Sequence, residues 1–126
     1  MAAPNIVGVT TIIGITTFVG LSTTAQTVIV SNPASSGEVF KINTIIVGNV
    51  SAAATANITL AIHDAAAGAG TTSVRLANAI DVVPKSTLVA LDKASSIYLE
   101  ENRSITATAS AANNLTVICS YEDITD

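Results

Sequence analysis

Asn57-Ile58-Thr59-Leu60-Ala61-Ile62-His63-Asp64 alternates an aliphatic side chain with a small or polar one. Neighbouring side chains of an extended chain point to opposite faces. Ile58, Leu60 and Ile62 therefore form one row, and Asn57, Thr59, Ala61 and His63 the other. A period of two over eight residues is the mark of a half-buried β-strand.

The same reading extends in both directions. Upstream, Thr27-Val28-Ile29-Val30 is a short strand, and Ser31 to Gly37 is a turn cluster punctuated by Pro33 and Gly37. Glu38 to Val50 reads as a long strand, with Phe40, Ile42, Thr44 and Ile46 alternating against Val39, Lys41, Asn43 and Ile45. Apolar groups on both faces from Ile45 to Val47 place its middle inside a sheet. Downstream, Ser73 to Val82 puts Val74, Leu76 and Ile80 on one face. Thr87 to Leu91 is a short strand, although Thr87 to Lys93 is the one place where a helical turn also fits. Ile97-Tyr98-Leu99 runs into a corner at Glu100 to Arg103. The chain returns through Ile105, Ala107 and Ala109, and Leu115, Val117, Cys119 and Tyr121 form a last inward row. About eight strands at regular spacing predict an all-β fold, an antiparallel β-sandwich or jelly roll. Its expected core is Ile58, Leu60, Ile62, Val74, Leu76, Leu115 and Val117.

The N-terminal part carries an internal repeat. Val7-Gly8-Val9-Thr10-Thr11 recurs as Ile13-Gly14-Ile15-Thr16-Thr17 and, more weakly, as Val19-Gly20-Leu21-Ser22-Thr23. Six is even, so Val7, Val9, Ile13, Ile15, Val19 and Leu21 share one face of an extended chain, with the glycines opposite. The expected organisation is an extended N-terminal arm over 1–25 and a sandwich over 26–126. The six aliphatic residues are the predicted interaction site, since an uncovered row of that size is unfavourable in water. The competing expectation is that this segment supplies ordinary strands of the same sandwich.

Composition points towards a subunit with covered surfaces. Hydrophobic residues make up 49% of the 126, aromatic residues 3%, and charged residues only 11%, against about a quarter in an ordinary soluble domain. The net charge is −4. The five basic residues, Lys41, Arg75, Lys85, Lys93 and Arg103, form no run, so nucleic acid is not an expected partner. The N-terminal apolar stretch is broken by Thr pairs and glycines and has no basic region before it. Neither a membrane span nor a secretory leader is expected from it. Four Asn-x-Ser/Thr sequons, at Asn49, Asn57, Asn102 and Asn114, are then inert.

No pattern of catalytic residues emerges. His63 is the only histidine, and Asp64, its neighbour in a strand, points to the opposite face. His63 is expected on the surface. Cys119, the single cysteine, falls on the inward row with no base at a recognisable spacing. Glu100 and Glu101 sit at a turn without the aromatic cleft that glycoside chemistry uses. Neither a nucleophile elbow nor a phosphate-binding loop occurs. The chain is therefore expected not to be an enzyme and to carry no metal or cofactor.

Several segments resemble small β-rich virion structural proteins of tailed bacteriophages, especially phages of cyanobacteria. They are Ala3-Pro4-Asn5-Ile6 with its Thr-rich continuation, Gly37-Glu38-Val39-Phe40-Lys41-Ile42-Asn43, Ser96-Ile97-Tyr98-Leu99-Glu100-Glu101 and Cys119-Ser120-Tyr121-Glu122-Asp123. Residues 51–71 fit the resemblance less well. It implies a virion component assembled in the host cytoplasm, and it brings no catalytic or ligand residues. The expected role is capsid decoration, or cement. The expected partners are the major capsid protein or other virion subunits, with a homo-oligomer, taken as a trimer. A neck or tail component is the alternative. A glycan-binding module would want exposed aromatics, and Phe18, Phe40, Tyr98 and Tyr121 are expected mostly in the core. A donor-strand pilus or surface-layer subunit is the remaining alternative.

Overall fold

A computed structural model describes residues 4–125; Met1, Ala2, Ala3 and Asp126 lie outside the described residues, and with them the first residue of the Ala3-Pro4-Asn5-Ile6 segment. Nine strands follow one another: β1 (Thr11–Gly20), β2 (Thr27–Asn32), β3 (Glu38–Asn49), β4 (Ala56–His63), β5 (Ser73–Val82), β6 (Thr87–Leu91), β7 (Ile97–Leu99), β8 (Arg103–Ala109) and β9 (Leu115–Thr125). Two single 3-10 turns, Ala66–Gly68 and Lys93–Ser95, interrupt them. The strand from Thr87 therefore ends at Leu91, and the helical turn comes just after it.

The strands form two antiparallel sheets packed face to face. One has the order β1-β9-β3-β6, with β7 also on β3; the other has the order β2-β8-β4-β5. With β6 and β7 counted as two halves of one strand, this is the strand order of a jelly roll. Ile42, Ile45, Val47, Ile58, Leu60, Ile105, Leu115 and Val117 fill the space between the sheets and are almost wholly buried. The core is aliphatic and β-branched, the kind of side chain that packs well on pleated surfaces.

Three departures from simple alternation have local causes. In β3 the register against β9 slips between Ile42 and Thr44. One extra residue at Asn43 reverses the facing of everything beyond it. Phe40 and Ile42 point inward before the bulge, and Ile45 and Val47 after it. Thr44 and Ile46, read from sequence as continuing the Phe40 row, face outward instead. In β5 two register shifts against β4, with Ala79 at φ 51°, break the expected row. Leu76 packs on the core, but Val74 is 65% exposed on this edge strand.

The third departure is the N-terminal segment. Thr11 to Gly20 pairs without interruption along β9, from Thr11 opposite Thr125 to Gly20 opposite Thr116. Leu21 donates its amide to the Leu115 carbonyl at 2.9 Å and is buried. In a jelly roll the first strand lies beside the last, so this segment completes a sheet of its own domain. The boundary expected at residue 25 does not separate a free arm from the sandwich. Residues 5–8 form a turn in which the Asn5 side chain accepts the Val7 amide at 3.0 Å, so the first copy of the repeat, Val7 to Thr11, begins inside a turn and not in a strand.

Candidate interaction surface

The six residues of the predicted site are distributed, not gathered on one face. Val7 is 92% exposed in its turn, Val9 is half-buried, and Ile13 lies open near the start of β1. Ile15 and Val19 pack against the core, and Leu21 belongs to it. The inward row of β1 thus covers its own domain over its second half. Thr17, on the same inward face, donates its hydroxyl to the Ile29 carbonyl of β2 at 3.3 Å and ties the two sheets along this side.

The outward face of β1 carries what the inward row was expected to show. Phe18 is 82% exposed and Ile12 57% exposed, with Gly14 and Thr16 between them. Phe18 was expected mainly in the core, as was Tyr98, which is half exposed; Phe40 and Tyr121 are buried, with ring centroids 4.9 Å apart. Phe18 was readable as an outlier, because it stands on the glycine side of the repeat.

Cross-strand register extends both outward positions into rows. Phe18 lies opposite Ile118, Ile118 opposite Ile46, and Ile46 opposite Val89, so an aliphatic and aromatic row crosses the whole sheet. Ile118 and Val89 are exposed. The flanking rows are Thr16, Ser120 and Thr44 on one side, and Gly20, Thr116, Gly48 and Thr87 on the other. No charge lies in these three rows. A second row, Ile12, Ile124 and Val39, crosses the other end of the sheet, where Pro4, Ile6, Tyr98 and Glu100 line a shallow groove with Val39.

The four sheet margins differ in how far they are protected from pairing with another chain. β5 carries Arg75, Asp81 and its two register shifts. β2 is bulged between Val28 and Val30, ends at Pro33, and is bonded by the 64–72 loop, in which Ala67 donates its amide to Ser31 Oγ at 2.9 Å. β6 and β7 are short. β1 has ten residues, no bulge, no proline and no charge, and among the described residues it pairs only with β9. Natural sheets normally guard such an edge with one of the devices seen on the other three.

The candidate chemical groups have structural roles. His63, expected on the surface, is buried and hydrogen-bonded through Nε2 to Thr106 Oγ1 at 2.8 Å. It does point away from the sandwich core. The 64–72 loop, however, folds back over that face: the Gly68 amide donates to Ser104 Oγ at 2.8 Å, and Ser104 Oγ donates to the Ala65 carbonyl at 2.8 Å. Gly68 sits at φ +73°, a left-handed backbone conformation that favours glycine, so the loop's path over this face depends on it. Beside His63, Arg103 donates to the Asp64 and Asn102 carbonyls at 3.2 and 3.1 Å. Cys119 is buried on the inward row, as read from sequence, and burial pushes its thiol up to about 12. Among the described residues, no three His, Cys, Asp or Glu side chains converge as metal ligands. Among the described residues, no helix is long and apolar enough to cross a membrane.

No family model matches the chain. No curated protein matches it either. Among solved structures, it is similar in fold to a subunit of Bacillus endospore appendages, described as a novel family of disulfide-linked pili. The TM-score is 0.51 at 14% identity, over 91% of this chain and 88% of that one. At that identity the likeness concerns the fold alone.

Proposed function

We propose that this chain is a structural subunit of a larger protein assembly, in the specific form of a virion decoration protein bound to capsid subunits. The observation that carries the reading is the unguarded β1 edge together with the charge-free apolar row that begins at Phe18. A sheet edge that long and that apolar invites pairing with another chain. The sparse charge of the sequence and its resemblance to phage virion proteins support the same reading. The test is to add purified protein to virions or empty capsids stripped of it and to follow co-sedimentation and electron microscopy. Saturable binding at repeated lattice positions is expected. Failure to bind any capsid or tail surface of its parent particle ends the virion reading.

A filament subunit is the second reading, favoured by the fold likeness to the endospore appendage subunit. Disulfide linkage, part of that protein's description, has little to draw on here. The chain has one cysteine, and it lies buried in the sandwich. Filaments of this chain alone that survive reducing agent are the expected sign of this second form.

A further inference from the structure

We infer that the β1 edge pairs with the β1 edge of a second copy of this chain, antiparallel about a twofold axis at Ile15. The inference rests on the assembly reading and names its contact.

The register follows from matching faces. On β1, Ile13, Ile15, Thr17 and Val19 turn towards the sandwich interior, and Ile12, Gly14, Thr16 and Phe18 turn outward. In an antiparallel pair, directly opposite residues share a face. Inner faces therefore meet inner faces only if the numbers of opposing residues add to an even total. Pairing centred on Gly14 sets Ile12 against Thr16. Pairing centred on Thr16 sets Phe18 against Gly14. Pairing centred on Ile15 sets Ile12 against Phe18 twice, Gly14 against Thr16 twice, and Ile13 against Thr17. It alone among these three brings the two large exposed side chains of each strand together.

The same register joins the rows of the two sheets. Val89, Ile46, Ile118 and Phe18 of one copy run directly into Ile12 of the second, beyond which Ile124 and Val39 continue the row but are buried. The twofold repeats this at the other end of the seam, making two apolar rows, each about five strands and roughly 19 Å long. Charge also favours a second copy. Each chain carries a net charge of −4, yet β1 carries none. The row of Gly14, Glu122 and Lys41 would meet the neutral row of Thr16, Ser120 and Thr44 across the seam. No like charges then face each other. Gly14 has nothing within 4 Å of where a Cβ would stand, which leaves open space beside the seam.

A seam of about nine residues is roughly 30 Å long and covers well under the ~800 Å² per partner of a standard interface. The free dimer is therefore weak, and a lattice or filament strengthens it by multivalency.

Single-cysteine variants in a Cys119→Ser background read both the contact and its register. Directly opposed residues are close enough for a disulfide. Under mild oxidation Ile15→Cys is expected to form covalent dimer about tenfold faster than the surface control Ser95→Cys, because pairing raises its effective concentration. Gly14→Cys and Thr16→Cys should each stay near the control alone but link when mixed. Adding Phe18→Lys should return Ile15→Cys to the control rate, with an unchanged melting curve showing that the monomer is still folded. Preferred self-linking of Gly14→Cys or Thr16→Cys overturns the register. If no β1 cysteine exceeds the control, the seam is overturned. Protein that still binds capsids or forms filaments without such linking retains the assembly reading and loses the seam; protein that links through Ile15→Cys but never assembles loses the larger reading alone.

Discussion

Two asparagines at strand ends show how single polar residues hold this sandwich together. Asn32, wholly buried at the end of β2, donates Nδ2 to the Glu38 carbonyl at 3.0 Å and to the Leu99 carbonyl at 3.1 Å, and its Oδ1 accepts the Ser36 hydroxyl at 2.5 Å. Asn49 at the end of β3 repeats the device. Its Nδ2 donates to the Ala54 and Val82 carbonyls at 2.9 and 2.8 Å, and its Oδ1 accepts the Ser51 amide at 2.9 Å. Each side chain reaches from one sheet to a carbonyl of the other, at a rim where the aliphatic core ends. A buried carbonyl that loses its donor costs about 1–3 kcal/mol. Asn32→Ala orphans two and is expected to lower stability by about 2–4 kcal/mol in urea denaturation; a loss within experimental error removes Asn32 from this role. Asn49 also heads a sequon, and in the folded chain its amide is buried and fully engaged. Cys119 has no polar role. With its thiol held near 12 by burial, the native protein should not react with a thiol reagent at pH 8 and should react once denatured. Rapid labelling of the folded protein contradicts this burial.

At the scale of elements, β1 decides how the N-terminus is understood. Ile15 and Val19 cover core side chains, and the strand satisfies one edge of β9 along its length. Deleting residues 1–20 exposes that edge and opens the core beside Cys119 and Val117. The truncated chain is expected to be unfolded or insoluble, by circular dichroism and by yield in the soluble fraction. A truncated protein that stays folded and cooperative restores the free-arm reading. Phe18→Lys tests the other side of the same strand. Phe18 is so exposed that this change should alter stability by no more than about 0.5 kcal/mol. The contrast between deletion and point change separates the two faces of β1, one structural and one available. Edge protection elsewhere explains why β1 stands out. Bulges, charges, proline and short length occupy the other margins, and the regular hexad repeat, which excludes all four, runs along this one.

For the molecule as a whole, the end of the sandwich near Glu38 introduces a pH dependence. The Glu38 carboxyl is raised above its ordinary value, first by burial and then by the neighbouring Asp123 carboxylate. The folded state thus holds this proton more tightly than the unfolded state. Stability therefore falls as pH rises from the ordinary carboxyl value through the raised folded value, and is regained on acidification through the same window. Glu38→Gln, which keeps the side chain's size and loses the titrating proton, is expected to flatten the melting temperature across that mildly acidic window. An unchanged slope assigns the dependence to other carboxyls. Such a group weakens the subunit slightly towards neutral pH at the same rim where Asn32 holds the sheets.

The order and approximate bounds of eight strands were legible from the sequence, because alternation with a period of two is a local property of the chain. So was the inward row of Leu115, Val117, Cys119 and Tyr121, which no bulge interrupts. Alternation shows that two faces differ, but it does not show what covers each face. His63 was assigned to the outward face correctly and to solvent wrongly, because the 64–72 loop that follows it folds back over that face, held there by Ser104 of β8. The bulge at Asn43 left only an ambiguous apolar run at Ile45 to Val47, since one extra residue acquires meaning only against a partner strand. The hexad repeat determined that residues 13–21 would be extended with an aliphatic side and a glycine side. Only the tertiary structure decided that the aliphatic side lies on its own core and that Phe18 crowns a row across the sheet. That choice depends on β1 lying beside β9, a pairing about a hundred residues distant along the chain. Its physical cause is closure of the sandwich, which local periodicity does not encode.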